Sequence, residues 1–100
     1  MMKLPNDYNA FQETLANQAP PDTWPKALQS LWYDAKGNWH TAHDLIDGSN
    51  DSTAKWIHAY LHRKEGDEWN AGYWYRQAGK SFPKMTLDEE AKQLVLEILS

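Results

Sequence analysis

The chain contains no cysteine. Disulfides, thiolate chemistry and cysteine-ligated zinc are therefore excluded. Cations are also scarce. Lys and Arg total 10 against 14 Asp and Glu, for a net charge of −4 and a pI near 5.4. The arginines are Arg63 and Arg76, and no basic run exceeds Arg63-Lys64. Nucleic-acid binding draws on a basic face that releases counterions, and an anionic membrane attracts the same kind of surface. Neither partner is expected. The opening MMKLPNDYNAFQ has no apolar signal-peptide core, and no apolar run reaches membrane-spanning length. A cytoplasmic protein is the resulting expectation. Gly-rich phosphate loops and nucleophile elbows are missing, so no cofactor is implied. Strand-like alternation is missing as well.

What the chain has in quantity is aromatic side chains, six Trp and five Tyr among 100 residues. Each ring buries a large area, so one small domain can be held together with few aliphatic residues. The pattern is helical throughout, and the fold class expected is all-α, a single domain of about five antiparallel helices. Asn6 or Asp7 can cap a short helix carrying Tyr8, Phe11 and Leu15 that must stop before Pro20-Pro21. Thr23 is the next cap candidate, with Pro25 in the first turn of a helix bearing Leu28, Leu31 and Trp32 up to Gly37. A partner helix runs from about Asn38 to Ile46. The stretch 47–51 is a turn by composition. Asp51 or Ser52 caps a helix to about Glu65, with Ala54, Trp56, Ile57, Tyr60 and Leu61 on one apolar arc. After Gly66, another runs from about Asp67 to Ala78. Thr86 with Glu89 forms a capping box ahead of the last helix, whose stripe is Leu87, Ala91, Leu94, Val95 and Ile98.

The middle of the chain repeats itself. A shift of 29 residues lays Gly37 on Gly66, Asn38 on Asp67, Ala42 on Ala71 and Ile46 on Tyr75. A lone helical hairpin cannot bury both faces, so two stack. The hairpins are expected at about 24–48 and 52–80, with the terminal helices covering them. The second resembles the tetratricopeptide or Sel1-like repeat. Ala59 stands at the small position of its first helix, and Ala71, Tyr75, Ala78 and Pro83 stand at the small, aromatic, small and proline positions that follow. The first hairpin keeps Ser30, Tyr33, Gly37, Ala42 and Ile46 but has Ser49 and Ala54 where alanine and proline belong. The stretches LWYDAKGNW and HAYLHRKEGDEWNAGYWYRQAG are also similar to a family of small bacterial proteins of unknown function. The repeat resemblance implies helical hairpins and a binding role; fold alone implies no reaction.

Two sets of side chains are left over by this packing scheme. Trp69, Tyr73 and Arg76 lie at i, i+4, i+7, opposite the face formed by Ala71, Trp74, Tyr75 and Ala78. Either a terminal helix covers them or they form a surface for a protein or peptide, since Trp, Tyr and Arg dominate interface hot spots. Arg63 and His62 would adjoin that contact. An interaction module, monomeric or self-associating through this stripe as a homodimer, is the leading functional expectation. The second set is His58, His62 and Glu65 at i, i+4, i+7 on one helix, with His43 and His40 on the helix before the turn. In an antiparallel pair His43 comes level with His58 and His40 with His62. Imidazoles on two levels with a carboxylate suit a divalent metal. The alternative function is thus a small-molecule- or metal-binding protein, or a hydrolytic enzyme in which His62 pairs with Glu65 or Asp67 as acid and base.

Overall fold

A computed structural model describes residues 4–100. Six α-helices run in order, and no strand occurs among the described residues. They are α1 (Tyr8–Glu13), α2 (Lys26–Ala35), α3 (Trp39–Ile46), α4 (Ser52–Lys64), α5 (Glu68–Gln77) and α6 (Leu87–Leu99). A single 3-10 turn, Thr14–Ala16, follows α1 ahead of the proline pair.

Side-chain caps set most of the starts. The carboxylates or amide of Asp7, Asn38, Asp51 and Asp67, and the hydroxyl of Thr86, each accept from a backbone N–H three residues on. The exception is α2. Pro25 rather than Thr23 takes the cap position, and it makes no side-chain cap bond. Its extended ψ of 144° starts the helix at Lys26, one residue later than a proline in the first turn would require.

The hairpin turns show why 29 residues is a structural period. At Gly37 and Gly66 φ is +85° and +89°, a region that side chains with a Cβ avoid. Gly37 N–H bonds Asp34 C=O and Asn38 N–H bonds Tyr33 C=O; Gly66 and Asp67 bond Arg63 and His62 in the same way. Both are Schellman ends. Asn38 and Asp67 then cap the next helix, so one residue closes one helix and opens another. Helices α2 and α3 form the first hairpin, and α4 and α5 the second.

The equivalent positions are buried alike. Leu28 and Ile57, Ser30 and Ala59, and Ala42 and Ala71 are all fully buried. The small residues mark where backbones come closest, and there the Ser30 hydroxyl donates to Ala42 C=O at 2.7 Å. The core joins these side chains to Phe11, Trp24, Trp32, Trp56, Leu94 and Val95. Helix α6 packs on α4 and α2, and α1 packs on α6. The terminal helices therefore cover the α2 and α4 side of the hairpins and leave the outer face of α5 bare. The Cα radius of gyration is 12.7 Å, close to the ~13 Å typical of one compact domain of this length. No described helix is long and apolar enough to cross a membrane.

Two buried carboxylates tie the layers together. Glu90 of α6 has no exposed surface. It accepts from Trp56 Nε1 at 3.0 Å, Tyr75 Oη at 2.6 Å and Arg63 Nη1 at 2.7 Å, which joins α4, α5 and α6. Asp34 of α2 accepts from Tyr60 Oη at 2.8 Å and Lys64 Nζ at 2.9 Å on α4. Burial and the adjoining carboxylates push the Tyr60 and Tyr75 phenols well above their ordinary range.

Candidate functional site

Helix geometry brings the histidines together. His58 and His62, four apart, stand one above the other on α4. The 47–51 turn lays α3 antiparallel beside them and sets His43 against His58, with the two Nε2 atoms 3.0 Å apart. One ligand nitrogen from each of His43, His58 and His62 lies within 4.8 Å of the other two. The ring centroids are 4.6 Å apart for His43–His58, 5.0 Å for His58–His62 and 5.5 Å for His43–His62. His40 does not join them. It is exposed and lies edge-on to Trp39, because α3 turns it away from α4.

The surroundings fix the protons. His62 Nδ1 is 2.6 Å from Glu65 Oε2, a contact in which Nδ1–H donates to the carboxylate, so that in the neutral ring the lone pair is on Nε2. Glu65 thus holds the His62 ring in place, and His62, Glu65 and Asp67 form a second group whose candidate ligand atoms lie within 4.8 Å of one another. The 3.0 Å approach of two Nε2 atoms likewise means that one carries a hydrogen and the other accepts it. His58 is buried, and burial with its neighbours His43 and His62 pulls its pKa from 6.5 down to about 4, against a smaller opposing pull from Asp47. At neutral pH it is an uncharged imidazole with a lone pair to offer.

Two tryptophans wall the cluster. Trp39 stacks on His43 at 5.0 Å and is itself held by a 2.8 Å bond from Nε1 to Leu61 C=O. Trp74 stacks on His58 at 4.0 Å with 12° between planes. Spacing alone assigns Trp74 to hairpin packing. The role of the two as walls depends on the register between hairpins, which periodicity does not reveal.

The aromatic line on α5 is uncovered. Trp69 is 77% exposed, Tyr73 is 40% exposed, and Arg76 is exposed. Trp69 and Tyr73 lie parallel at 6.5 Å, and Tyr73 meets Trp74 edge-on at 5.1 Å. The line therefore adjoins the histidine cluster through Trp74, which touches both Tyr73 and His58. Arg63 is not part of it. Its guanidinium turns inward to Glu90 and to Met85 C=O, because Arg63 lies on the side of α4 that faces α6. The expectation that it meets a partner is corrected accordingly.

Neither of two cavities touches these residues. One of about 250 Å³ lies between Tyr8, Phe11, Leu31, Asp34, Tyr60 and Val95. The other, about 270 Å³, is bounded by Trp56, Tyr75, Lys80 and Phe82. At the edge of this cavity Lys80 Nζ sits 4.0 Å from the Trp56 ring. Comparison with protein-family models, curated proteins and solved structures finds no match for the chain.

Proposed function

We propose that this protein binds a divalent transition-metal ion through His43, His58 and His62. The observation that carries the reading is the convergence of three imidazole nitrogens within 4.8 Å, drawn from two hairpins. Tetrahedral zinc with bonds near 2.0–2.1 Å sets its nitrogens about 3.3 Å apart. The His43–His58 pair, at 3.0 Å, needs to open by only a few tenths of an ångström. A neutral His58 and a carboxylate-oriented His62 are the protonation states a metal requires. Imidazole sets of this kind take zinc, copper, nickel or cobalt rather than calcium or magnesium.

The nearby carboxylates favour binding over hydrolysis. Glu65 is engaged by His62. Asp67 caps α5 and accepts from Asn70 Nδ2 at 2.6 Å, which holds its carboxyl below the ordinary range and makes it a poor base. The matched burial and turn geometry of the two hairpins supports the resemblance to tetratricopeptide-type repeats, and with it a binding role.

The test is calorimetric titration of untagged, chelator-stripped protein with zinc and with cobalt. One ion per chain is expected, with proton release that shows as a buffer-dependent heat. His43→Ala, His58→Ala and His62→Ala should each weaken binding by at least about tenfold, and Glu65→Gln by about tenfold through loss of ring orientation. No uptake by the wild type, or unchanged affinity in His58→Ala, overturns the reading.

A further inference from the structure

Resting on the metal reading, we infer that the site is completed in trans: its fourth ligand is a histidine imidazole on a segment of a partner protein that lies across Trp69 and Tyr73. Among the described residues, His43, His58 and His62 form one group without a fourth member, and His62 belongs to a second group with Glu65 and Asp67. Closed structural zinc sites have four protein ligands, and a three-ligand set keeps a position open. The nearest carboxylates do not close it. Glu65 sits behind the His62 ring, and Asp44 lies 3.9 Å from His43 Nδ1, the nitrogen opposite the one that meets His58.

The surface beside that open position is built of rings. From His58 outward the series is Trp74 at 4.0 Å, Tyr73 a further 5.1 Å and Trp69 a further 6.5 Å, each measured between neighbouring centroids. Whatever reaches the metal from the α5 side therefore runs over Tyr73 and Trp69. Small-molecule sites are concave. Trp69 at 77% exposure forms a shelf rather than the wall of a cleft. The shape suits an extended or helical protein segment.

Charge selects the donor. Asp44, Asp47, Glu65 and Asp67 surround the histidines, on a chain of net charge −4. The ion's two positive charges are already met by these four carboxylates, so a further carboxylate donor would add excess negative charge, whereas an imidazole arrives neutral and gives a fourth nitrogen. At the other end of the line, one turn past Tyr73 and away from Trp69, Arg76 is exposed, with Nη1 folded over Gly72, and it offers the segment a pairing point for an acidic residue. The partner segment thus carries a histidine, a large apolar or aromatic residue for the Trp69–Tyr73 shelf, and an acid at the Tyr73 end of it, toward Arg76.

The probe is a displayed library of random dodecapeptides, selected on zinc-loaded protein. Any immobilised metal enriches histidine, so the shelf is tested by what accompanies it. The expected result is histidine co-enriched with an aromatic or aliphatic residue at a fixed spacing. The selected peptide, labelled and titrated by fluorescence anisotropy, should bind Trp69→Ala and Tyr73→Ala at least about tenfold more weakly. Zinc affinity of both variants should stay within about twofold of wild type, because the residues lie outside the ligand set. Replacing the peptide histidine by alanine should abolish binding. Enrichment without histidine, histidine without a fixed apolar companion, or equal affinity for Trp69→Ala overturns the inference while zinc uptake stands. Absence of zinc uptake overturns the metal reading itself and this inference with it.

Discussion

Replacing Glu90 by glutamine tests how much of the fold hangs on one buried carboxylate. The change keeps the shape and removes the charge. Glu90 is fully buried and receives three donors, Trp56 Nε1 and Tyr75 Oη on Oε2 and Arg63 Nη1 on Oε1. Glutamine has one acceptor oxygen and one NH2, so it cannot face all three. Turned with NH2 toward Arg63, it sets donor against cation and loses a charge-assisted bond of about 1.5–3 kcal/mol. Turned the other way, it leaves the Trp56 N–H without an acceptor at about 1–3 kcal/mol, while the Tyr75 hydroxyl can rotate and accept. In either orientation the Arg63 ion pair is gone, and breaking a buried pair from one side costs about 3–5 kcal/mol in total. A domain of this size has about 5–15 kcal/mol to lose. At 4–8 °C per kcal/mol, a loss of about 3 kcal/mol lowers the melting temperature by about 12–24 °C. Thermal unfolding followed by circular dichroism reads this directly. Arg63→Met combined with Glu90→Gln should be scarcely worse than Glu90→Gln alone, since the second change removes a partner already lost. A fall of less than about 4 °C for Glu90→Gln, under about 1 kcal/mol on the same scale, would refute the reasoning.

Three further outcomes are expected. Gly66→Ala meets nothing within 4 Å, so its whole cost is the left-handed backbone at φ +89°, about 1–2 kcal/mol; Gly37→Ala in the other hairpin should cost the same, and unequal melting temperatures would count against equivalent turns. Metal-free wild type should lose stability as pH falls from 6.5 toward 4, because the unfolded chain protonates His58 first near 6.5 while the native ring holds out to about 4; the stabilisation is fully present above pH 6.5 and is on the order of 3 kcal/mol. A pH series of denaturant melts with chelator present checks it, and the same slope in His58→Gln would sink it. His58→Gln should also fold, with a melting temperature at pH 7.5 within about 5 °C of wild type, and yet bind zinc more than about tenfold more weakly in the calorimetric assay.

Much of the architecture is legible in the sequence because local chemistry determines it. Gly37 and Gly66 read as helix ends because glycine is the residue that readily accepts their backbone, and Asn38 and Asp67 after them read as caps. The histidine meeting is half legible. The i, i+4 pair on α4 and the short return through 47–51 place His43 level with His58, but rotation about each helix axis decides which rings face. It brings His43 in and leaves His40 out. Glu90 escapes a reading of α6 that sees Asp88, Glu89 and Glu90 as one acidic first turn answering the helix dipole. The available signal is its register. Glu90 stands three residues after Leu87 and four before Leu94, on the apolar stripe, where an unpaired carboxylate would be prohibitive. Arg63 carries the matching signal, seven residues after Trp56 and four after Ala59 on the buried side of α4. Together the two predict each other; taken singly, each looks like surface charge.

The internal repeat separates what the fold needs from what it does not. Packing positions are shared between the copies: Leu28 with Ile57, Ser30 with Ala59, Ala42 with Ala71, Gly37 with Gly66. The site residues are not. A shift of 29 residues pairs His58 with Gln29, His62 with Tyr33, His43 with Gly72 and Trp74 with Leu45. Each pair occupies the same place in the same kind of hairpin, and one member manages without an imidazole or an indole. Packing therefore does not demand histidine at 43, 58 or 62, and it does not demand that two of them meet Nε2 to Nε2 at 3.0 Å with one proton between them. A buried His58 that gives up its charge, and two like groups at its side, are costs to the apo fold. The three histidines that converge on one point are thus among the positions where the two copies differ, as an arrangement selected for something other than hairpin packing requires.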